Sequence, residues 1–139
     1  LANNYYPKIS VDNRKDHLEI VEKNLKNLEI KNVKTKLMDV YEDIPVNNSN
    51  LIFLDLPEPW KAIDNVESSL IRGGFFVSYL PCITQVQELV NNIEKTEKFV
   101  HLSTKEVNIR NWTVLGKKVR PVSKENISHT AFLSFFRRV

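Results

Sequence analysis

Four large apolar residues in succession, Leu51-Ile52-Phe53-Leu54, stop on a carboxylate, Asp55, with prolines following at 57 and 59. A strand with one wet face alternates apolar and polar side chains. An unbroken apolar run is the mark of a strand covered on both faces, as in parallel sheets flanked by helices. This run therefore asks for a sheet with layers on either side, and for further strand and helix segments to build them.

The rest of the chain supplies those segments. Ile9-Ser10-Val11-Asp12 alternates as a short strand, and Leu18, Val21, Leu25 and Leu28 recur at helical spacing. Residues 33–38 read as a second strand that ends at Asp39. A helix is predicted over 60–71, broken at Gly73-Gly74, before a strand at 75–79. Val86, Leu89, Val90 and Ile93 mark another helix face, and 99–107 and 131–139 read as closing strands. Between these last two lies a basic excursion, 108–125, with Lys117, Lys118, Arg120 and Lys124. The order predicts one α/β domain over 1–139: a doubly wound, Rossmann-like sheet, mostly parallel, with helices on both faces and an antiparallel end.

The net charge of +3 is a mild bias toward a polyanion such as RNA. The single cysteine, Cys82, excludes an internal disulfide and any multi-cysteine zinc site, and reads as a packing residue. No apolar run reaches the roughly 20 residues of a membrane span, and no signal peptide is visible, so a cytoplasmic protein is expected. The chain starts on Leu1 rather than Met, and its first residues read as the tail of a helix cut in mid-course. Upstream sequence is expected to be missing.

In open α/β sheets, ligands sit beyond the carboxyl ends of the strands. Asp12, Asp39 and Asp55 all fall there. A carboxylate at the end of an early strand can accept bonds from both hydroxyls of a ribose, a role open to Asp12, and Asp39 can take the amine of an adenine ring. For both, a helix N-cap explains the pattern equally well. At Asp55-Leu56-Pro57-Glu58-Pro59-Trp60 two prolines stiffen the backbone after a charge that is costly unless paired, solvated or used. Such a loop suits a flat base extruded from its stack. A proline turn with a packed Trp60 stands as the alternative. His17 and His101 read as surface or partly buried histidines, His129 as a structural hydrogen-bonding residue, and Trp112 as core or interface. The three histidines lack metal-ligand spacing, so no metal is expected.

The run L-I-F-L-D-L-P-E-P-W resembles the catalytic motif of the S-adenosylmethionine-dependent tRNA adenine-N1 methyltransferases, which carry D-L-P-x-P-W or close variants. Residues 73–82, G-G-F-F-V-S-Y-L-P-C, are similar to that family's G-G-x-x-x-x-Y-x-P-C strand and turn, and Thr84-Gln85-Val86 continues the match. Arg120-Pro121 and then His129-Thr130-Ala131-Phe132-Leu133 resemble its R-P and H-T-G-[FY]-L ending, with Ala131 in place of the glycine. The resemblance implies that this is the C-terminal part of a catalytic domain. It implies Asp55 as the catalytic carboxylate, Asp12 for the cofactor ribose and Asp39 for its adenine. Leu56, on the cofactor side, and Pro57 would floor the site. Trp60, Tyr79 and Pro81 would meet the target base, and Arg120 with the nearby lysines the phosphates of tRNA. A homo-oligomer is also implied.

The chain departs from the family at its start. The family's N-terminal β-rich domain, first strand and glycine-rich cofactor loop have no counterpart, and only Gly73, Gly74 and Gly116 are present. Glycine lets backbone N–H groups approach a ligand closely, so one wall of the cofactor site is expected to be absent. Without the first strand, the Ile9 strand is expected to close beside the Leu51 strand, or the open edges to pair with another copy. A catalytically inactive remnant or RNA-binding subunit is the second reading of the whole chain.

Overall fold

The structure is a computed structural model that describes residues 7–107, 111–122 and 131–139. It divides into two compact units between Val46 and Asn47. The first holds strand β1 (Lys8–Asp12), helix α1 (Lys15–Asn27) and strand β2 (Val33–Leu37). β1 and β2 pair in parallel, Ile9 opposite Lys34 and Asp12 opposite Leu37. Of the predicted helical stripe, Leu18 is buried, Val21 and Leu25 are half-buried, and Leu28 lies exposed just past the helix end. The Thr35 hydroxyl donates to the Glu22 carboxylate at 2.6 Å, tying β2 to α1.

The second unit is built on a four-stranded sheet of β3 (Ser49–Leu54), β4 (Leu70–Leu80), β5 (Phe99–Glu106) and β8 (Phe132–Arg138), in the order β3-β4-β8-β5. β3 and β4 are parallel, while β8 runs antiparallel to both β4 and β5. This is the antiparallel finish expected from the sequence. A 3₁₀ turn (Pro59–Ala62), helix α2 (Ile63–Ser69) and helix α3 (Ile83–Glu94) complete the unit. The predicted helix over 60–71 is thus a 3₁₀ turn followed by a short α-helix, because Pro59 sits in the first turn. The chain is already extended at Leu70, three residues before the glycines.

The core lies on one face of this sheet. Phe76, Leu80 and Phe136 have no exposed surface, nor do Leu89 and Ile93 on α3. The Phe76 and Phe136 rings stack with centroids 5.2 Å apart, and Phe99 meets Phe76 edge-on at 6.1 Å. The opposite face is open: Leu51 and Phe53 are 59% and 55% exposed, and Phe75 and Tyr79 at least 40%. The expectation of helices on both faces is therefore met on one face only among the described residues of this unit. Among the described residues, β3 pairs with β4 alone and β1 with β2 alone. A pairing of the Ile9 strand with the Leu51 strand is not found among the strand pairs of the described residues.

The paired glycines have separate physical reasons. Gly73 has φ +78°, a conformation costly for any side chain. A Cβ on Gly74 would lie 2.9 Å from the Ile71 carbonyl oxygen. Together they carry the irregularity that shifts the β3–β4 register between Ser49 and Leu51. At the same end of the sheet, the Arg138 guanidinium bonds the Leu70 carbonyl and the Glu67 carboxylate, fastening the last strand to α2. The basic excursion contains an antiparallel hairpin that the sequence pattern did not reveal, β6 (Trp112–Leu115) and β7 (Lys118–Pro121), turning at Gly116 with φ +57°.

Gly74→Ala is expected to lower the unfolding free energy by about 1–3 kcal/mol, because the new methyl meets backbone rather than a movable side chain. The buried Ser78 hydroxyl has no hydrogen-bond partner among the described residues. Ser78→Ala is therefore expected to be neutral or stabilising by up to about 1 kcal/mol. Urea unfolding followed by circular dichroism measures both.

Candidate active site

In the first unit two carboxylates stand at strand ends. Asp12, the last residue of β1, accepts the Arg14 backbone N–H on Oδ1 at 2.8 Å, and its Oδ2 lies 3.2 Å from His17 Nδ1. Its side chain keeps 33% of its surface. It is not the cap of α1, since Arg14 occupies that position and makes no side-chain cap bond. Instead it closes a short turn ahead of the helix, and each oxygen keeps a further lone pair for a donor such as a ribose hydroxyl. Asp39 follows β2. Its Oδ1 accepts the Tyr41 N–H at 2.9 Å and its carbonyl accepts the Glu42 and Asp43 N–H groups. No helix follows it, so the helix-cap alternative fails here too.

In the second unit Asp55 leaves the end of β3 directly after the buried Leu54. Its carboxylate is exposed and meets no hydrogen-bonding or ionic partner among the described residues. The loop around it is held instead. Pro59 is buried and starts the 3₁₀ turn. Glu58 pairs with Lys61 at 2.5 Å. The Gln85 side-chain amide on α3 donates to the Pro57 carbonyl at 2.9 Å. The acid is thus presented to solvent from a braced backbone, neither turned inward nor neutralised by a lysine or arginine.

The parallel register carries Asp55 and Tyr79 to the same edge: Leu54 pairs with Ser78, and these two residues come next on their strands. Tyr79 is 40% exposed, and Pro81 follows the end of β4, also exposed. Leu56 and Trp60 are half-buried and Pro57 is exposed. The carboxyl ends of β3 and β4 therefore gather an acid, two ordered prolines and a phenol. Arg120 is not part of this group. It lies exposed on β7, opposite Thr113, in the separate hairpin with Lys117 and Lys118. His129 lies outside the described residues.

Sequence reading missed two residues here. Gln85 was legible only as part of a matched motif, with nothing in its type to indicate that it braces the proline loop. His17 was read as a generic surface or partly buried histidine. Its position one turn into a helix that follows an aspartate-terminated strand was the available signal. His101 packs on the Phe136 ring at 5.0 Å and bonds the Thr104 hydroxyl, a structural role. Among the described residues no three His, Cys, Asp or Glu side chains gather as a metal site would require. Cys82 is exposed rather than packed, because the turn after β4 carries it away from the core.

Parallel strand pairs that lead into acids, an antiparallel finish and a proline-stiffened loop are features of a methyltransferase-type α/β domain. The comparisons name the branch. Residues 9–130 match the family described as tRNA methyltransferase complex GCD14 subunit, and the chain belongs to it. It is 37% identical over 107 residues to a tRNA (adenine(57)-N(1)/adenine(58)-N(1))-methyltransferase TrmI of Methanocaldococcus jannaschii, covering 76% of this chain and 37% of that protein. It is 35% identical over 131 residues to the tRNA (adenine(58)-N(1))-methyltransferase TrmI of Thermus thermophilus, covering 93% and 51%. The crystal structure of tRNA (m1A58) methyltransferase TrmI from Aquifex aeolicus superposes with a TM-score of 0.81 at 29% identity, over 94% of this chain and 53% of that one. The chain thus spans about half the length of such relatives, or less.

Because its carboxylate has no partner to lose, Asp55→Asn is expected to leave stability within about 0.5 kcal/mol. Asp12→Ala, which strips an acceptor from a backbone N–H and from His17, is expected to cost about 1 kcal/mol. Thermal denaturation of the two variants beside the parent decides this.

Proposed function

We propose that this chain carries the acid-bearing half of an S-adenosylmethionine-dependent methyltransferase acting on ring N1 of an adenine in tRNA. The observation that supports this reading most is the unpaired, solvent-facing Asp55 on a loop braced by Pro57, Pro59 and Gln85. A carboxylate so placed accepts a hydrogen bond, or a proton, from the exocyclic amine of a docked adenine. That shifts electron density onto N1 and makes it the better nucleophile, while the stiff loop holds the geometry in advance. Tyr79, Pro81, Pro57 and Trp60 offer the flat surfaces against which an extruded base rests. The exposed lysines and Arg120 of the β6–β7 hairpin are suited to tRNA phosphates.

Asp12 and Asp39 fit the nucleoside end of the cofactor, as acceptors for ribose hydroxyls and for the adenine amine, and Leu56 supplies apolar surface. When bound, S-adenosylmethionine supplies the methyl group. The methionine end finds no glycine loop: Gly73 and Gly74 lie in β4 and Gly116 in the hairpin. The exposed Lys117, Lys118 and Arg120 also suit a second reading, a non-catalytic RNA-binding subunit. Calorimetric titration with S-adenosylmethionine separates the two for the isolated chain. Binding weaker than micromolar is expected, and micromolar binding would show that these residues form a sufficient site alone.

The catalytic assignment is tested by placing residues 9–130 in the matching region of the Thermus thermophilus relative and assaying tRNA with methyl-labelled cofactor. The chimera is expected to yield N1-methyladenosine, and Asp55→Asn to lower the rate by a factor of about 10²–10⁴. Equal rates with Asp and Asn at 55 would remove the carboxylate from the mechanism.

A further inference from the structure

Among the described residues, each oxygen of the Asp12 carboxylate has one hydrogen-bonding neighbour. Oδ1 accepts the Arg14 backbone N–H at 2.8 Å, and Oδ2 lies 3.2 Å from His17 Nδ1. The first contact comes with the turn that follows β1 and needs no particular side chain at 14. The second depends on an imidazole at position 17, in the first turn of α1. The last torsion of an aspartate is broad and lets the carboxylate plane swing. A backbone bond restrains one oxygen. A second bond, to the other oxygen, fixes the plane.

The Arg14 side chain, two residues from Asp12, does not supply that second bond. Its guanidinium forks onto Asp16 instead, Nη2 to Oδ2 at 2.6 Å and Nε to Oδ1 at 3.3 Å. An arginine fork on Asp12 would occupy both oxygens at once and compete with a ligand for them. A neutral imidazole gives one N–H and takes one lone pair. Each oxygen of Asp12 then keeps a lone pair, and the two lie on one fixed plane. That arrangement matches two hydroxyls on adjacent ribose carbons, each donating to one oxygen.

We infer that His17 is a positioning residue: its Nδ1–H donates to Asp12 Oδ2 and sets the carboxylate plane to receive both hydroxyls of the cofactor ribose. The role rests on the reading of Asp12 as the ribose acceptor, and one of its readouts needs no ligand. The hydrogen bond an imidazole makes decides which ring nitrogen carries the proton. At about pH 8, where an ordinary imidazole is neutral, ring-nitrogen NMR of this chain is expected to show His17 as the Nδ1–H tautomer. Asp12→Ala should return it to the Nε2–H form. Affinity is measured by calorimetry with S-adenosylhomocysteine on the chimera with the Thermus thermophilus relative. His17→Ala and His17→Phe are expected to weaken binding about three- to tenfold. His17→Asn, whose amide donates from the place of Nδ1, should restore it. For the analogue whose ribose lacks both hydroxyls, His17→Ala should cost nothing, whereas a purely structural loss would weaken both ligands alike. An Nε2–H ring in the parent, or equal losses with the two ligands, overturns the role of His17. Asp12→Ala separates the two readings. If it weakens S-adenosylhomocysteine binding while His17→Ala does not, the positioning role alone falls. If it leaves binding unchanged, the ribose reading of Asp12 falls and the positioning role with it.

Discussion

Everything in the second unit is organised by the stack of Phe76 on Phe136, with Phe99 against its edge. These rings come from three strands that are neighbours in the sheet but far apart in sequence. Burying them sets which face of β4 and β8 points inward. With period-2 alternation this also sets what points outward, since a slip of one residue would exchange the faces. Ser78 and Ser134 fall on the inner face as a consequence. Ser134 is satisfied by Thr104 on β5 at 2.9 Å, while Ser78 has no partner among the described residues. The Arg138–Glu67 pair then locks the end of β8 to α2.

The same packing accounts for the difference among the three acids. Asp12 and Asp39 end strands that lead into turns, and each spends part of its hydrogen-bonding capacity on a backbone N–H two residues on. This local bonding is what Asp does wherever the backbone turns. Asp55 is followed by Leu-Pro-Glu-Pro, and the proline at 57 has no N–H to offer at that spacing. The carboxylate is left without a local partner, and the loop is stabilised through Gln85 and buried Pro59 instead. A charge kept free by the chemistry of its own neighbours suits a site that must receive a base. Membership of the tRNA methyltransferase family gives that geometry its context.

Much of this was legible in the chain itself. The apolar run at 51–54, the helical stripe of Val86, Leu89 and Ile93, and the carboxylates at strand ends appear where periodicity placed them, because burial pattern and backbone period are local properties. The motif around Asp55 pointed to the family for a related reason: proline restricts backbone geometry at the positions where it stands. What only the tertiary structure decided involves partners distant along the chain. Gln85 reaching Pro57, His17 facing Asp12, Arg138 joining Glu67, and the bareness of the Phe75 face all depend on which surfaces meet. A linear pattern specifies that a residue is apolar or can donate a hydrogen bond. It takes folding to determine what lies within 3 Å of that donor, and whether a given apolar side chain finds a cover.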